Sequence, residues 1–331
     1  MEAIRNVAYI RPYHSRIYDE YFGGLKACVM DIETTGLDPR RTEVILGGLL
    51  VPGEECAEVV QYFADREDEE KNVLMAYGNA LSSADVLITY NGSSFDLPFM
   101  KQRFQRTGLD YPLDHMQSFD LYRVLHYYSK MREILPNLKQ KSIEVFLGLS
   151  PLRQDERSGG ESVALYEEYL RSGSQAARDK VLLHNRDDLI QLASILRILE
   201  KLDLHRILFY EGFTVACGSK RAYVKSMTIK DKVFTVTAGT KDIDLDYYSF
   251  EPGYQAIHKA QEKKLTLSIP YERRQGLEFI DLASIDADFS QLHRYPSYES
   301  GFLILREKGT MNYAEVNKAV KIILKLILEA V

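Results

Sequence analysis

One short segment, residues 28–37, constrains what this chain can fold into more than any other part of the sequence. An apolar run leads directly to Asp31 and Glu33, which are followed by a Thr-Thr-Gly turn. Alternate side chains of a strand share a face, so both carboxylates are predicted to point the same way at the end of a buried strand. Two like charges held that close repel each other unless a cation lies between them. The segment therefore predicts half of a divalent-metal site.

Composition narrows the class of protein. The 331 residues suit one large domain or two ordinary ones, and 45% hydrophobic content supports full cores. The three cysteines are widely spaced, which argues against a disulfide framework or a zinc site and favours a reducing, cytoplasmic setting. The chain shows no apolar signal core at its start and no apolar run long enough to cross a bilayer, so no membrane association is expected.

Charge is distributed unevenly along the chain. The net charge is −6, and residues 201–331 hold 19 Lys and Arg against 17 Asp and Glu, so the first 200 residues carry −8. This balance does not favour a protein that coats nucleic acid through bulk charge. It is compatible with an enzyme that engages one strand end through a local basic groove, and with a carboxylate metal site in the first 200 residues.

The texture of the sequence divides the chain into three parts. Residues 1–24 are polar and Tyr-rich and are predicted to form a surface lead-in. Residues 25–204 alternate between strand and helix patterns, which predicts an α/β domain with a mixed sheet. Residues 205–331 are predicted to form a smaller α+β module of unknown role.

Individual elements follow from apolar periodicity and from turn residues. Strands are predicted at 25–30, 44–51, 57–63 and 85–90, and in the last module at 225–237 and 264–269 with a turn at 230–231. Helices are predicted at 67–81, 95–106, 120–132, 140–146, 161–171, 175–201 and 313–330.

Two further motifs carry candidate ligands. The run Asn-Gly-Ser-Ser-Phe-Asp follows a predicted strand and places Asp96 near the first turn of the next helix. In a later helix, His184 and Asp188 are four residues apart and share one face, whereas Asp187 is turned about 100° away.

Together these residues predict a two-metal hydrolase site. Oxygen ligands with few nitrogens and no thiols suit two Mg²⁺ or Mn²⁺ ions, and such a pair can clamp the attacking and leaving oxygens of a phosphodiester. His184 is the candidate general base, because imidazole takes up protons near neutral pH. The predicted metal ligands are Asp31, Glu33, Asp96 and Asp188.

The order of these motifs resembles the DEDD, or DnaQ-like, 3′–5′ exonuclease superfamily of the ribonuclease H fold, and most closely its YprB-type ribonuclease-H-like branch. The resemblance covers roughly residues 25–200. It implies a ribonuclease H-like mixed five-stranded sheet flanked by helices, with the first strand central and the second antiparallel. The residues that carry the closer match are Leu138-Lys139, Phe146-Leu147-Gly148-Leu149, Glu161-Ser162-Val163-Ala164-Leu165-Tyr166, Tyr169-Leu170 and His184-Asn185-Arg186-Asp187-Asp188-Leu189.

The resemblance also implies roles for single residues. The family's metal-binding carboxylates fall on the four predicted ligands, and its general base falls on His184. Thr34, Gly36 and Leu37 match the region that holds the terminal nucleotide, and Asn91 and Phe95 match the lining of the same cleft. Asp120 has two open interpretations, either a group that supports the metal ligands or the N-cap of the following helix.

One spacing departs from the family pattern. One branch of the superfamily has His with four residues before the last Asp, and the other has Tyr with three. Here His184 has three residues before Asp188. With Asp187 as the ligand the gap would be two, which fits neither branch, so Asp188 is the favoured ligand.

Two hypotheses of function follow. The first is a metal-dependent 3′–5′ exonuclease that hydrolyses the 3′ ends of single-stranded DNA or RNA by a two-metal mechanism. The alternative is a catalytically silent ribonuclease H-like domain that acts as a nucleic-acid or protein-binding scaffold. All four carboxylates are present, which favours the enzyme, whereas the unusual histidine spacing favours the scaffold.

Overall fold

The computed structural model describes residues 1–111, 113, 116–149, 153–154 and 159–331. Contacts divide the chain into two compact units, Met1–Leu202 and Asp203–Val331. Within the described ranges, no helix combines the length and the apolar character that crossing a membrane requires.

The first unit is built on one mixed sheet. Its strands are β1 (Glu2–Ala8), β2 (Ala27–Thr34), β3 (Val44–Pro52), β4 (Ala57–Phe63), β5 (Val86–Thr89) and β6 (Gln117–Asp120). Their order is β1-β4-β3-β2-β5-β6, with β3 antiparallel to β2 and with β5 and β6 running parallel to it. This confirms the expected mixed sheet, in which the first predicted strand is central and the second is antiparallel.

The sheet has six strands rather than the expected five. Residues predicted as a lead-in supply β1, which pairs along its whole length with β4. The prediction missed it because five of the seven residues of β1 are exposed, so apolar alternation is weak and edge pairing decides the conformation.

Helices cover the sheet and follow the predicted order. They are α1 (Arg16–Phe22), α2 (Glu70–Ser82), α3 (Asp96–Thr107), α4 (Leu121–Tyr128), α5 (Met131–Ile134), α6 (Gln140–Phe146), α7 (Gly159–Ser172) and α8 (Gln175–Ile195). The prediction of one helix at 120–132 is wrong in part. The chain extends β6 to Asp120, and α4 and α5 follow as two short helices, because parallel pairing with β5 overrides the helical pattern.

Two adjacent glycines in β3 let helices approach the sheet from opposite faces. A Cβ on Gly47 would lie 2.6 Å from the ring of Tyr77 in α2. A Cβ on Gly48 would lie 2.1 Å from Oδ1 of Asn185 in α8. Because neighbouring strand residues point to opposite faces, α2 and α8 lie on different sides of the sheet. Gly48 is paired with Asp31 of β2, so α8 packs on the face of the sheet that carries Asp31.

The second unit is dominated by antiparallel sheets. A six-stranded sheet has the order β10-β11-β12-β9-β8-β7, and a four-stranded sheet has the order β13-β14-β15-β16. The strands are β7 (Thr214–Cys217), β8 (Lys220–Lys230), β9 (Val233–Lys241), β10 (Tyr247–Phe250), β11 (Gln255–Lys259), β12 (Lys264–Pro270), β13 (Glu272–Arg274), β14 (Leu277–Asp281), β15 (Phe302–Glu307) and β16 (Thr310–Met311). Three helices complete it, namely α9 (Leu204–Glu211), α10 (Pro296–Glu299) and α11 (Tyr313–Ala330).

The predicted turn between the first strands of this module lies one residue later than expected. Asp231 and Lys232 join β8 to β9 and have φ values of 51° and 63°. Two consecutive residues with positive φ match the twist of an antiparallel hairpin.

Replacing Gly48 with alanine tests the close approach of α8 to the sheet. We expect Gly48→Ala to lower the free energy of unfolding by about 1–3 kcal/mol, because the new methyl group would overlap the buried Asn185 amide. Urea unfolding measures the change. Gly239→Ala is the matched control, since it also lies in a strand and its nearest neighbour would be 3.7 Å away. Equal stabilities for the two variants would contradict the predicted overlap.

Candidate metal and catalytic site

Asp31 and Glu33 lie at the end of the central strand β2. Glu33 is buried and Asp31 is half-buried. Burial raises the pKa of Asp31 well above its ordinary value, and the charges of Asp96, Glu33 and Asp188 raise it further. The structure therefore brings the four carboxylates predicted from the sequence into one electrostatic cluster.

Asp96 is the first residue of α3 and reaches back to β2. Its Oδ1 accepts a hydrogen bond from the backbone N–H of Ile32 at 3.3 Å. Burial raises the pKa of Asp96 to about 7, and the charge of Asp120 acts in the same direction, while its backbone hydrogen bonds lower it. This carboxyl group is held beside the Asp31 strand in an environment that disfavours its charge.

His184 lies between two of the candidate ligands. It is buried in α8, and its Nε2 is 3.8 Å from Oε1 of Glu33 and 3.6 Å from Oδ2 of Asp188. Asp187 has a different environment, because its Oδ2 accepts the backbone N–H of Gln154 at 2.6 Å. Asp188 rather than Asp187 is thus the carboxylate of this helix that faces His184 and acts on Asp31.

An arginine that the sequence analysis did not select binds the last carboxylate. Arg153 Nη2 donates to Asp188 Oδ1 at 2.6 Å and to Glu144 Oε1 at 2.7 Å. Its Nε donates to the second Glu144 oxygen at 2.9 Å, so Glu144 holds the guanidinium at two points. Arg153 and Glu144 are both almost fully buried. No spacing rule links positions 144, 153 and 188, so only the folded chain brings them together.

An amide pair, also missed from the sequence, orients Asp31. Asn185 Nδ2 donates to Asp31 Oδ2 at 2.8 Å, and its Oδ1 accepts from Gln61 Nε2 at 2.9 Å. Gln61 also donates to the carbonyl of Leu182 at 2.8 Å. Because Gln61 must donate on this side, Asn185 presents its NH₂ to the carboxylate. The one sequence signal for Asn185 is its position directly after the candidate base His184.

Of the candidate nucleotide-holding residues, Thr34 ends β2, and Gly36 and Leu37 lie in the turn that follows. The Thr34 hydroxyl donates to the Gly36 carbonyl at 2.8 Å, and the Thr42 hydroxyl donates to the same oxygen at 3.1 Å. The Leu37 side chain is 84% exposed, so a large apolar group projects into solvent four residues after Glu33. The turn is thus held by two hydroxyl hydrogen bonds, and its one large apolar side chain faces solvent.

Asn91 and Phe95 flank a loop that Asp120 organises. The Asp120 carboxylate accepts the backbone N–H groups of Asn91 at 2.8 Å and Ser93 at 3.0 Å. It also accepts the N–H of Tyr122 at 3.1 Å and so caps α4. Asn91 has φ of 64°, and the Phe95 ring packs 5.4 Å from that of Phe99. Asp120 therefore is the N-cap of α4 and also binds the loop that leads to Asp96, while a role in supporting metal ligands stays a prediction.

The donor set of this site fits hard divalent cations. Four carboxylates and one imidazole are ligands that Mg²⁺ or Mn²⁺ accept, and burial together with the neighbouring carboxylates raises the pKa of Asp31, which disfavours its charged form when no cation is bound. Among the residues that the structure describes, however, no three acidic, His or Cys side chains are already arranged around one ion position. One oxygen of Asp188 binds Arg153 and one of Asp31 binds Asn185, and each carboxylate has a second oxygen that can ligate a cation.

Comparison with known proteins gives one family match. A family model described as the RNase_H superfamily matches residues 28–200, more than half of the chain. A comparison with curated proteins gives no match.

Several solved structures share part of the fold. A family B DNA polymerase from Pyrobaculum calidifontis is 17% identical with a TM-score of 0.42, and the match covers 54% of this chain and 24% of the polymerase. Exonuclease I from Methylocaldum szegediense is 12% identical with a TM-score of 0.37, and E. coli Exonuclease I in complex with an oligonucleotide is 10% identical with a TM-score of 0.35. Both matches cover 64% of this chain and 54% of the exonuclease. The family assignment rests on the sequence model, since all three TM-scores lie below 0.5.

The raised pKa of Asp96 predicts how the stability of the metal-free protein depends on pH. Its folded pKa of about 7 lies above the ordinary 3.8, so between these values the folded state binds more protons than the unfolded state. The free energy of unfolding therefore falls as pH rises through this range. We expect Asp96→Asn to reduce the loss between about pH 5 and pH 8 by about 2–3 kcal/mol, measured by urea unfolding in EDTA.

Asp179→Asn serves as the control for this experiment, because Asp179 lies on the exposed face of α8 with a side chain that is 71% accessible. The control variant should keep the pH dependence of the wild type. An unchanged pH dependence in Asp96→Asn would show that burial of this carboxyl group does not cost stability.

Proposed function

This chain belongs to the RNase_H superfamily, and from this premise we propose that it is a metal-dependent 3′–5′ exonuclease of single-stranded DNA or RNA. The observation that carries the proposal is the cluster of four carboxylates around the end of β2, where burial and the three neighbouring carboxylate charges raise the pKa of Asp31. A cluster of this kind is stabilised by divalent cations, and a phosphodiester is the substrate that such cations activate.

In this proposal each carboxylate has a place in the hydrolysis. Asp31, Glu33, Asp96 and Asp188 hold two Mg²⁺ or Mn²⁺ ions, which when bound supply Lewis-acid activation of water and charge compensation for the phosphodiester. Asn185 fixes the orientation of Asp31, and the Ile32 N–H fixes that of Asp96. The oxygen of a water molecule attacks phosphorus, and the bond from phosphorus to the 3′ oxygen of the preceding nucleotide breaks. The products are a nucleoside 5′-monophosphate and a strand with a free 3′ hydroxyl.

His184 is proposed to take the proton of the attacking water. Its Nε2 lies within 4 Å of both Glu33 and Asp188, so it adjoins two of the four carboxylates. The imidazolium formed by proton transfer would be stabilised by these neighbouring negative charges. Thr34, Gly36 and Leu37 are proposed to hold the terminal nucleotide, and Asn91 and Phe95 to line the cleft.

A non-catalytic nucleic-acid scaffold is the second candidate, and one contact favours it. Arg153 binds Asp188 directly, so one of the four carboxylates has a cationic partner without any metal ion. Calorimetric titration with Mn²⁺ separates the two candidates. The nuclease requires saturable binding of two ions, whereas the scaffold requires none.

Removal of the central carboxylate tests the nuclease. We expect Asp31→Asn to reduce Mn²⁺-dependent release of mononucleotides from an end-labelled single strand by more than the roughly 10- to 100-fold that loss of an outer partner costs. The physical reason is that the variant removes a charge from the centre of the proposed ion cluster. Asp179→Asn, on the exposed face of α8, should retain full activity. Undiminished hydrolysis by Asp31→Asn would refute the assignment.

The role of His184 is tested by separating turnover from metal affinity. If it is the base, His184→Ala should lower kcat by roughly 10²- to 10⁴-fold, with little change in the Mn²⁺ concentration that gives half-maximal activity. If it only positions Glu33 and Asp188, the Mn²⁺ requirement should rise while kcat at saturating Mn²⁺ is kept. His14→Ala is the control, since the His14 side chain is 66% exposed and far along the chain from these residues.

A further inference from the structure

A polar cavity is formed by the segment that follows β6, and it has no part in the function proposed above. Its volume is about 310 Å³. We call it the Tyr122 pocket, and its lining includes Tyr122, His126, Arg132, Leu135, Asn137 and Leu138. Ligand sites in proteins begin at about this size, which suits a single nucleotide rather than a larger molecule.

The fold places this pocket at the same edge of the sheet as the carboxylates. Strands β2, β5 and β6 are parallel, so their carboxyl ends meet at one edge. Tyr122 comes two residues after Asp120, which binds the loop at the end of β5. On the other wall, Leu138 comes two residues before Gln140, whose Nε2 donates to the Asp188 carbonyl at 3.0 Å. Each of these two lining residues is therefore two positions along the chain from a residue that contacts the candidate site.

The charge of the surrounding segment differs in sign from the rest of its unit. Residues 121–141 contain five Lys and Arg and one acidic residue, a net charge of +4, within a 200-residue region that carries −8. The basic residues are Arg123, Lys130, Arg132, Lys139 and Lys141. A local positive surface of this kind attracts a polyanion to one place on an acidic protein.

Aromatic rings alternate with these cations. The Tyr122 ring lies edge-on to Tyr90 with centroids 6.0 Å apart. The Tyr90 hydroxyl donates to the Leu138 carbonyl, so Tyr90 contacts two of the residues that line the pocket. Arg132 is exposed, and its Nη1 is 3.2 Å from His126 Nε2. Next to the pocket, the guanidinium of Arg123 stacks 5.5 Å from the centroid of the 62% exposed Tyr127 ring.

We propose that the Tyr122 pocket binds one nucleotide of a single strand adjacent to the scissile one, with Arg132 contacting its phosphodiester and Tyr122 its base. The proposal rests on the proposed function, because it names where the strand lies as its end enters the site. Stacking on an aromatic ring and contact with phosphate are both tolerant of sequence. The pocket therefore provides affinity for a strand without selecting its bases.

The test measures binding apart from hydrolysis. Asp31→Asn protein in EDTA is titrated into a short 5′-fluorescein-labelled oligothymidylate, and fluorescence anisotropy is followed between about 50 and 200 mM salt. We expect Arg132→Gln, added to this background, to reduce the slope of log affinity against log salt by about 0.7, the value for one lost single-strand phosphate contact. Tyr122→Leu should weaken binding by roughly 5- to 100-fold at constant slope, because it removes a stacking surface but no charge.

Arg5→Gln is the matched control, since the exposed Arg5 lies on β1 at the opposite edge of the sheet and should leave both affinity and slope unchanged. An unchanged slope in Arg132→Gln, or no binding of oligothymidylate by the parent protein, overturns the proposal. So does displacement of the oligothymidylate by polyglutamate as readily as by unlabelled strand, since that would assign the surface to acidic peptides.

The experiments distinguish failure of the nuclease proposal from failure of the pocket proposal. A protein that binds the strand through Arg132 but hydrolyses nothing keeps the pocket and loses the nuclease. A protein that releases mononucleotides with a salt slope independent of Arg132 keeps the nuclease and loses the pocket. Repeating the titration with labelled oligouridylate shows whether the pocket accepts RNA as readily as DNA, and both results support a single-strand site.

Discussion

Mutual repulsion among buried carboxylates is the constraint on which the first unit depends. Asp31 stands at the end of the central strand, where burial raises its pKa and the charges of Asp96, Glu33 and Asp188 raise it further. Burying several like charges together is costly unless donors and cations compensate for them. The topology itself brings the carboxylates together, because α3 follows β5 and delivers Asp96, and α8 packs on β3 and delivers Asp188.

Uncharged hydrogen-bond donors stabilise the carboxylates and fix their orientation. Gln61 fixes the Asn185 amide so that its NH₂ faces Asp31, and Gly48 leaves the space in which that amide fits. Arg153 brings a positive charge to Asp188, but Glu144 binds the same guanidinium at two points and offsets that charge. The pair is therefore neutral overall, so the four carboxylates keep a net deficit of positive charge that two divalent ions would match.

Local patterns predicted much of the fold, and pairing over long distances explains the rest. Helices α6 and α11 begin and end where their apolar periodicity places them, because each signal lies within the helix itself. Strands β1 and β6 were missed, since both are sheet-edge strands whose conformation comes from a partner strand. The same division holds for the site. The Asp31 pair and the His184 face could be selected from spacing, whereas Asn185, Gln61 and Arg153 acquire their contacts only through tertiary structure.

The four carboxylates and the basic segment 121–141 lie at the same end of the parallel strands, and their charges have opposite effects on a nucleic-acid strand. Four carboxylates repel a phosphodiester, and at physiological ionic strength this repulsion extends about 8 Å before salt screens it. Residues 121–141 carry a net charge of +4 and begin directly after Asp120, which holds the loop leading to Asp96. In the proposed function, a polyanionic strand is held there by phosphate contacts while its end enters the acidic cluster. The overall net charge of −6 does not favour such a substrate, whereas the local distribution of charge does.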